Sequence, residues 1–450
     1  MPNQFTAPIW GDEGFSAILS MKPIPEIIEV ISRDTSPPLF NITEHLWFQV
    51  FGTSEIAIRS LVFLYFLLAV FFTYKIASYL FNQKVGVLAA ILTFLNPFFF
   101  TYAFEGRMYS ILALGVTASM YFFLRLYFDK KPSPWLILGY TLSTLWALYS
   151  HHFAIFILLV QGLLFIKLLI KNRKKALYVF LGFITTGLGY TPWIIPLYNQ
   201  TKMVGGGFWL GTPTFRDLLN LIFEYLADGI KHPLSRYALY SVFIIIALRK
   251  WFTKFEKTLV LLLWFLTPII ATWIISQFFQ SIFFNRYLLY TIPAAMIILA
   301  SSRRKFLSNL AILLTILLFL AIDTHYFTHP TKRPFDKLAD YVLETKRGDD
   351  ILVNWNASSH HLWETKYYGI PAPIYIPSEG VLPFFVGTAL MEEDDIIREI
   401  PTTLPGKVRL QRVGVITSGP VEEVQIPNYT KSEVAVFGDL RFIWYEKTFR

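Results

Sequence analysis

Cysteine is absent from the 450 residues. That excludes disulfides, thiolate metal sites and cysteine nucleophiles, and it leaves the redox compartment open. Charge is scarce too: Asp, Glu, Lys and Arg make up 16% of the chain, against about 25% in soluble domains. Neither a P-loop nor a GxGxxG run occurs, so no nucleotide-phosphate fingerprint is present. The opening MPNQFTAPIW lacks a basic stretch followed by an apolar run, so no signal peptide is visible in it. There is no low-complexity tract and no repeat of a soluble type.

What the chain has is apolar bulk. It is 54% hydrophobic and 18% aromatic, with 43 Phe, 24 Tyr and 12 Trp. A soluble protein of this make-up could not clothe its surface. The apolar residues fall into long runs approaching the ~20 residues that cross a bilayer. Ten such segments are read, at roughly 56–81, 85–104, 108–128, 135–150, 153–170, 176–198, 235–248, 258–277, 287–300 and 306–322. The fold class expected is an α-helical polytopic membrane protein.

The connections alternate in character. One set comprises 75–84, 125–131, 167–175, 249–257 and 303–305, where basic residues outnumber acidic ones 17 to 2. The other set comprises residues 1–55, with two basic and seven acidic residues, the turns near Glu105–Arg107 and His151–His152, the loop 199–234, and residues 278–286. The positive-inside rule puts the first set in the cytoplasm and the second outside. The net charge of +9 thus abuts membrane spans, which excludes a nucleic-acid partner. With ten spans, the tail beyond Asp323 is also outside.

That tail changes texture after His329-Pro330. Asp336–Thr345 and His361–Tyr368 read as helices, and 350–353, 373–376, 408–416 and 434–445 as strands. Three domains are expected: an extracytoplasmic first loop over 1–55, a transmembrane domain over 56–322 and a small extracytoplasmic α/β domain over 323–450. The tail reads as a lid or packing module. Within the first loop, Ile27, Ile28 and Ile31, then Leu39, Ile42, Leu46 and Val50, recur at helical spacing, which suits two helices lying on the outer leaflet. Loop 203–211, with Gly205-Gly206-Gly207-Phe208-Trp209, reads as an interfacial turn, with a mobile lid as the alternative. Sequons at Asn41, Asn356 and Asn428 imply nothing by themselves.

Charged residues avoid the middles of the spans, where a transporter usually keeps ionisable groups. Instead Asp12, Glu13, Asp34, Glu105, Arg107, His151, His152 and Arg286 gather at outer ends, from five separate parts of the chain. That distribution points to chemistry at the membrane surface.

The motifs occur in a set order: Trp10-Gly11-Asp12-Glu13; Asp34-Thr35-Ser36-Pro37-Pro38-Leu39; Trp47-Phe48-Gln49-Val50-Phe51-Gly52; Asn96-Pro97; Glu105-Gly106-Arg107-Met108-Tyr109-Ser110; Tyr149-Ser150-His151-His152-Phe153; Arg286-Tyr287-Leu288. Over about residues 1–300 the chain resembles the GT-C superfamily of membrane glycosyltransferases, in particular the protein O-mannosyltransferases and aminoarabinose transferases. Many relatives carry His before Pro-Pro, where Ser36 stands here, so any role of that His is not carried over.

The resemblance implies transfer of a sugar, mannose-like or similar, from a polyprenyl-phosphate carrier to an acceptor hydroxyl on the outer face of the cell (inner) membrane, with inversion. The acceptor, whether lipid, polysaccharide or protein, is left open. A lipid-linked donor needs no nucleotide fingerprint, which agrees with the absence noted above.

Such a displacement asks for a carboxylate to take the hydroxyl proton and for cations to balance the departing phosphate. By resemblance, Asp12 is the base and Glu13 its orienting neighbour. Glu105 matches the second-loop acidic position, holding donor sugar, acceptor or a divalent metal ion, or else pairing with Arg107. Arg107 and Arg286 are the candidate phosphate ligands, since guanidinium offers a planar donor fork; the alternative is snorkelling to lipid headgroups. Tyr109 and Tyr287 complete the expected donor site. His151 and His152 are candidates for acceptor or metal contact. Side chains at adjacent helical positions point about 100° apart, so the pair is not expected to share one metal. No metal or cofactor is assigned.

Relatives begin with a span that precedes the Asp-Glu pair. Only eleven residues precede Asp12 here, too few to cross ~30 Å of hydrocarbon. The expectation is that Met1 is not the native start and that the intact protein has eleven spans. The competing function is a lipid-linked sugar flippase, which would need a polar path through the spans.

Overall fold

The computed structural model describes residues 2–249, 251, 254–302, 306–355, 361–376, 382–400 and 412–447. The sequon at Asn356, the basic run 303–305 and the start of the strand read over 408–416 lie outside the described residues. The chain forms two compact units. One contains residues 31–43 and 59–329, the other residues 2–30, 44–58 and 330–450.

Three helices come first: α1 (Gly11–Ser20), α2 (Ile24–Ser32) and α3 (Leu39–Phe51). Helices α2 and α3 coincide with the two helical stretches read from the sequence. Ile27 and Ile31 are buried, whereas Ile28, Leu46 and Val50 are exposed. The apolar helices follow as α4 (Glu55–Leu80), α5 (Gln83–Phe94), α6 (Pro97–Thr101), α7 (Tyr109–Phe128), α8 (Pro134–Ser150), α9 (Ile155–Lys171) and α10 (Arg173–Tyr190). After α11 (Ile194–Gly205) and α12 (Phe215–Phe223) come α13 (Ser235–Leu248), α14 (Phe255–Phe278), α15 (Asn285–Leu288), α16 (Ile292–Ala300) and α17 (Phe306–Thr328).

All ten apolar segments fall on helices, but they differ in length. Among the described residues six are long and apolar enough to cross a bilayer: α4, α7, His152–Lys171, Arg173–Gly205, α14 and α17. A seventh forms if α5 and the stretch Pro97–Phe104 count as one span bent by 58°, while Ser235–Leu248 and Asn285–Ala300 are shorter. The chain is an integral membrane protein. The bend has a local cause. Asn96 accepts the Phe99 N–H at 3.0 Å and donates to the Tyr225 carbonyl at 2.9 Å, and Pro97 follows at the first helical position, so the helix restarts there in a new direction.

Close helix approach replaces the hydrophobic drive that lipid cannot supply. Gly115 of α7 lies against the backbone of Ala147 of α8, where a Cβ would come within 2.7 Å. The buried polar groups nearby close on one another: Ser119 meets Thr144 at 2.8 Å, Gln161 donates to Ser119 at 3.0 Å, and Tyr140 donates to Gln161 at 2.8 Å.

The second unit is built on a six-stranded sheet in the order β3-β2-β1-β4-β6-β5, formed by β1 (Ile351–Trp355), β2 (Ile374–Tyr375), β3 (Ile396–Ile397), β4 (Arg412–Thr417), β5 (Tyr429–Phe437) and β6 (Leu440–Lys447). The first four pair in parallel, while β6 runs antiparallel to both β4 and β5. Helices α18 (Phe335–Thr345) and α19 (His361–Tyr367) complete the α/β domain. Phe335, Leu338, Val342, Leu352, Phe442 and Trp444 form the core on one face.

The strand read over 434–445 is two strands. Gly438, at φ +62°, makes the turn of a hairpin inside an otherwise apolar run, a conformation that favours glycine. The two-residue β3 gave no sequence signal. The sequence reading set 1–55 apart from 323–450; in the structure residues 2–30 and 44–58 belong to the unit that holds the sheet.

Candidate functional site

In the first unit, the turn between α6 and α7 and the segment before α16 bring distant residues together. The Arg286 guanidinium lies 5.5 Å from the Tyr109 ring centre, 4.9 Å from Phe284 and 5.9 Å from Tyr287. Tyr109 and Tyr287 are 6.3 Å apart, and the His151 ring stands 4.9 Å from Tyr287. Arg107 and Arg286 are both within electrostatic range of His151. Glu105 and Arg286 stand in the same relation to Tyr102. Thus Glu105, Arg107, Tyr109, His151, Arg286 and Tyr287 form one cluster. Glu105, Arg107 and Arg286 keep part of their surface exposed, whereas Tyr109 and His151 are buried. The aromatic rings around the partly exposed Arg286 guanidinium favour a cation there and help hold it in place.

Residues that no motif flagged support this cluster. Tyr225 donates to the Asn285 carbonyl, and Asn285 donates to Glu224 at 3.2 Å, fixing the backbone beside Arg286. Burial raises the Glu224 carboxyl above the ordinary carboxylate range. Gln280 donates to the carbonyls of Phe208 and Leu210 at 3.2 and 3.3 Å, and Trp209 meets Phe284 edge-on at 5.0 Å. The loop 203–211 is therefore tied to the segment 280–284.

The two histidines have different surroundings. His151 Nδ1 accepts the Phe153 N–H at 3.1 Å, which leaves the proton of the neutral ring on Nε2. His152 Nε2 lies 2.7 Å from Gln200 Oε1. The Gln200 amide donates to the carbonyls of Ile31 and Ser36 at 2.7 and 3.2 Å, so its oxygen faces His152 and His152 Nε2 carries the hydrogen. His152 thus braces the segment 31–36 ahead of Pro37-Pro38. Among the described residues no three of His, Asp and Glu come together as a metal ligand set.

Asp12 and Glu13 lie in the second unit, in the first turn of α1. Asp12 is partly exposed and Glu13 fully buried. Glu13 pairs with Lys332 at 2.7 Å and accepts the Trp10 N–H at 3.4 Å. The N-terminal turn of a helix favours acidic side chains through its unpaired N–H groups. Helix α1 rests on α19: a Cβ on Gly14 would come within 2.8 Å of the Trp363 carbonyl oxygen, and Phe15 meets Trp363 edge-on at 5.3 Å. Between α9 and α10 an apolar groove is lined by Leu148, Ile155, Leu158, Phe183 and Tyr190, with Gly162 and Gly187 also on its wall.

Residues 35–194 match the model of the dolichyl-phosphate-mannose-protein mannosyltransferase family. In structure the chain is similar to ArnT from Cupriavidus metallidurans. The apo form matches with a TM-score of 0.65 at 13% identity over 99% of this chain and 93% of that one. The form bound to undecaprenyl phosphate matches with a TM-score of 0.68 at 13% identity over 98% and 94%. The Archaeoglobus fulgidus oligosaccharyltransferase matches with a TM-score of 0.51 at 14% identity over 85% of this chain and 59% of that one. No curated protein matches the chain in sequence. The fold is similar to that of the ArnT structures along nearly the whole chain, and the sequence likeness to the mannosyltransferase family is confined to residues 35–194.

Proposed function

We propose that the protein transfers a sugar from a polyprenyl-phosphate carrier to an acceptor hydroxyl at the outer face of the cell membrane. The acceptor oxygen attacks the anomeric carbon as the bond from that carbon to the phosphate oxygen breaks. The electron pair leaves with the phosphate, and the hydroxyl proton passes to Asp12. A single displacement of this kind inverts the anomeric centre. Arg107 and Arg286 take up the phosphate charge, and Tyr109 and Tyr287 hold Arg286 and the donor. Glu13, paired with Lys332, orients the first turn of α1. The topology proposed is ten spans within this chain, with α1, the arginine cluster and the α/β domain outside the cytoplasm.

The observation that carries this reading is the convergence of Arg107 and Arg286 on one aromatic cluster from segments 179 residues apart. The ArnT structure with undecaprenyl phosphate supports the donor class. The groove between α9 and α10 has the apolar character a polyisoprenoid chain requires.

The test is incubation of the purified protein in detergent with a panel of polyprenyl-phosphate sugars and candidate lipid, polysaccharide and peptide acceptors, followed by mass analysis. A product heavier than its acceptor by one sugar is expected, from one donor or a few. No product across the panel, together with movement of the intact lipid across vesicles, would overturn the proposal in favour of a flippase.

A further inference from the structure

The α/β domain contributes one group to the helix that carries Asp12, and the reaction as proposed above does not use it. Glu364, on α19, is 2% exposed. Its carboxyl group accepts the Gly11 N–H, while its Oε2 has no hydrogen-bond partner among the described residues. Gly11 opens α1, so its N–H is one of those a helix cannot satisfy internally, and the preceding Trp10 has no side-chain oxygen to cap it. The next residue is Asp12.

The support beneath Glu364 is firm. Trp363 donates its indole N–H to the Val386 carbonyl at 2.9 Å, Thr365 receives the Asn354 amide at 3.1 Å, and Lys366 pairs with Asp395 at 2.6 Å. Gly14 packs on the Trp363 backbone with no room for a Cβ. Helix α1 cannot slide along α19 without breaking these contacts.

We infer that Glu364 is a positioning residue for the base: by holding the Gly11 N–H from a buried site, it fixes the first turn of α1 and with it the direction of the Asp12 carboxylate. This rests on the reading of Asp12 as the base. The charged groups facing Glu364 are Arg333 from the segment before α18, and Asp12 and Glu13 from α1. Lys332 is engaged with Glu13, and His361, one turn earlier on α19, lies 3.1 Å from Arg333. Burial pushes the Glu364 carboxyl up to about 8, with Arg333 and the Gly11 N–H acting the other way. At neutral pH the group is mostly neutral. Above pH 8 it becomes a buried charge beside two other carboxylates, a costly arrangement, and the first turn of α1 loosens.

Two readouts test this on the whole chain of 450 residues. The first needs no substrate: hydrogen exchange of peptides covering residues 10–20 between pH 6 and 9.5, corrected for intrinsic rates. Protection in the wild type should fall above pH 8, and Glu364→Gln, which keeps an acceptor but cannot ionise, should hold it level. The second is turnover with the donor and acceptor that the panel identifies. Glu364→Ala should lower kcat by about tenfold or more, as misplacement of a catalytic group does, with donor KM within about twofold, and Glu364→Gln should restore kcat at pH 7. Glu364→Gln should also remove the loss of turnover above pH 8.

If exchange and turnover in Glu364→Gln follow the wild-type pH profile, the positioning role is wrong even where Glu364→Ala fails to fold. Asp12→Asn in parallel separates the two claims. If it is inactive while the Glu364 variants match the wild type, the base stands and the positioning role falls. If it is active, the base itself is wrong.

Discussion

Asp12 offers the most direct single-residue test. Asp12→Asn keeps shape and removes the proton acceptor, so kcat should fall by about 10²-fold or more with the fold intact. Arg286→Lys keeps the charge and loses both the donor fork and the stacking on Tyr109 and Phe284. It should raise donor KM several-fold, and unchanged donor binding in both Arg286→Lys and Arg107→Lys would make these arginines lipid-facing anchors. Lys332→Met would remove the cation paired with the fully buried Glu13 carboxylate, at a cost of up to about 3–5 kcal/mol. Adding Glu13→Gln should recover most of it, both read by thermal unfolding. The sequence singles out Arg107 and Arg286 because each stands in a short motif at a span end, and Asp12 because it stands in a short motif of the first loop. Glu364 and Gln200 are not singled out: each is a lone polar residue whose meaning comes from a contact far along the chain, with Gly11 in one case and with Ile31 and Ser36 in the other.

At the scale of elements, the positions of the helices were readable from apolar runs, and most bounds fell within a few residues. Their lengths as spans were less so, because the break at Asn96-Pro97 is a hydrogen-bonding event that hydropathy does not register. The hairpin at Gly438 was missed for a related reason, since its apolar flanks read as one strand. Two glycines make predictions at this level. Gly14→Ala forces α1 off the Trp363 carbonyl; it should lower the unfolding temperature of the second unit and reduce kcat together. Gly187 has open space where a Cβ would stand, on the wall of the groove between α9 and α10. Gly187→Leu should leave stability unchanged and raise the KM for long-chain donors more than for short-chain ones. Equal effects on both would remove the groove from donor binding.

For the whole molecule, pH sensitivity follows from the sign of the Glu364 shift. Its folded-state value, about 8, lies above the ordinary 4.5. The stability it contributes is therefore fully present below the ordinary value and is lost as pH rises through about 8. The unfolding temperature of the wild type should decline between pH 7 and 9, and that of Glu364→Gln should decline less over the same interval, as scanning calorimetry would show.

The placement of residues 2–30 with the sheet also has a consequence for synthesis. The Ile9 N–H bonds the Tyr368 hydroxyl across 359 positions of sequence, and α1 lies on α19, whose own domain is completed by β6 at Leu440–Lys447. Loop closure over such a separation is slow compared with local helix formation. The helix bearing Asp12 is made long before α19 and β6, and it gains its support only when they have folded. A nascent or prematurely terminated chain can thus hold its spans and its arginine cluster while α1 lacks its seat. Formation of β6 is thus a precondition for seating α1 on α19.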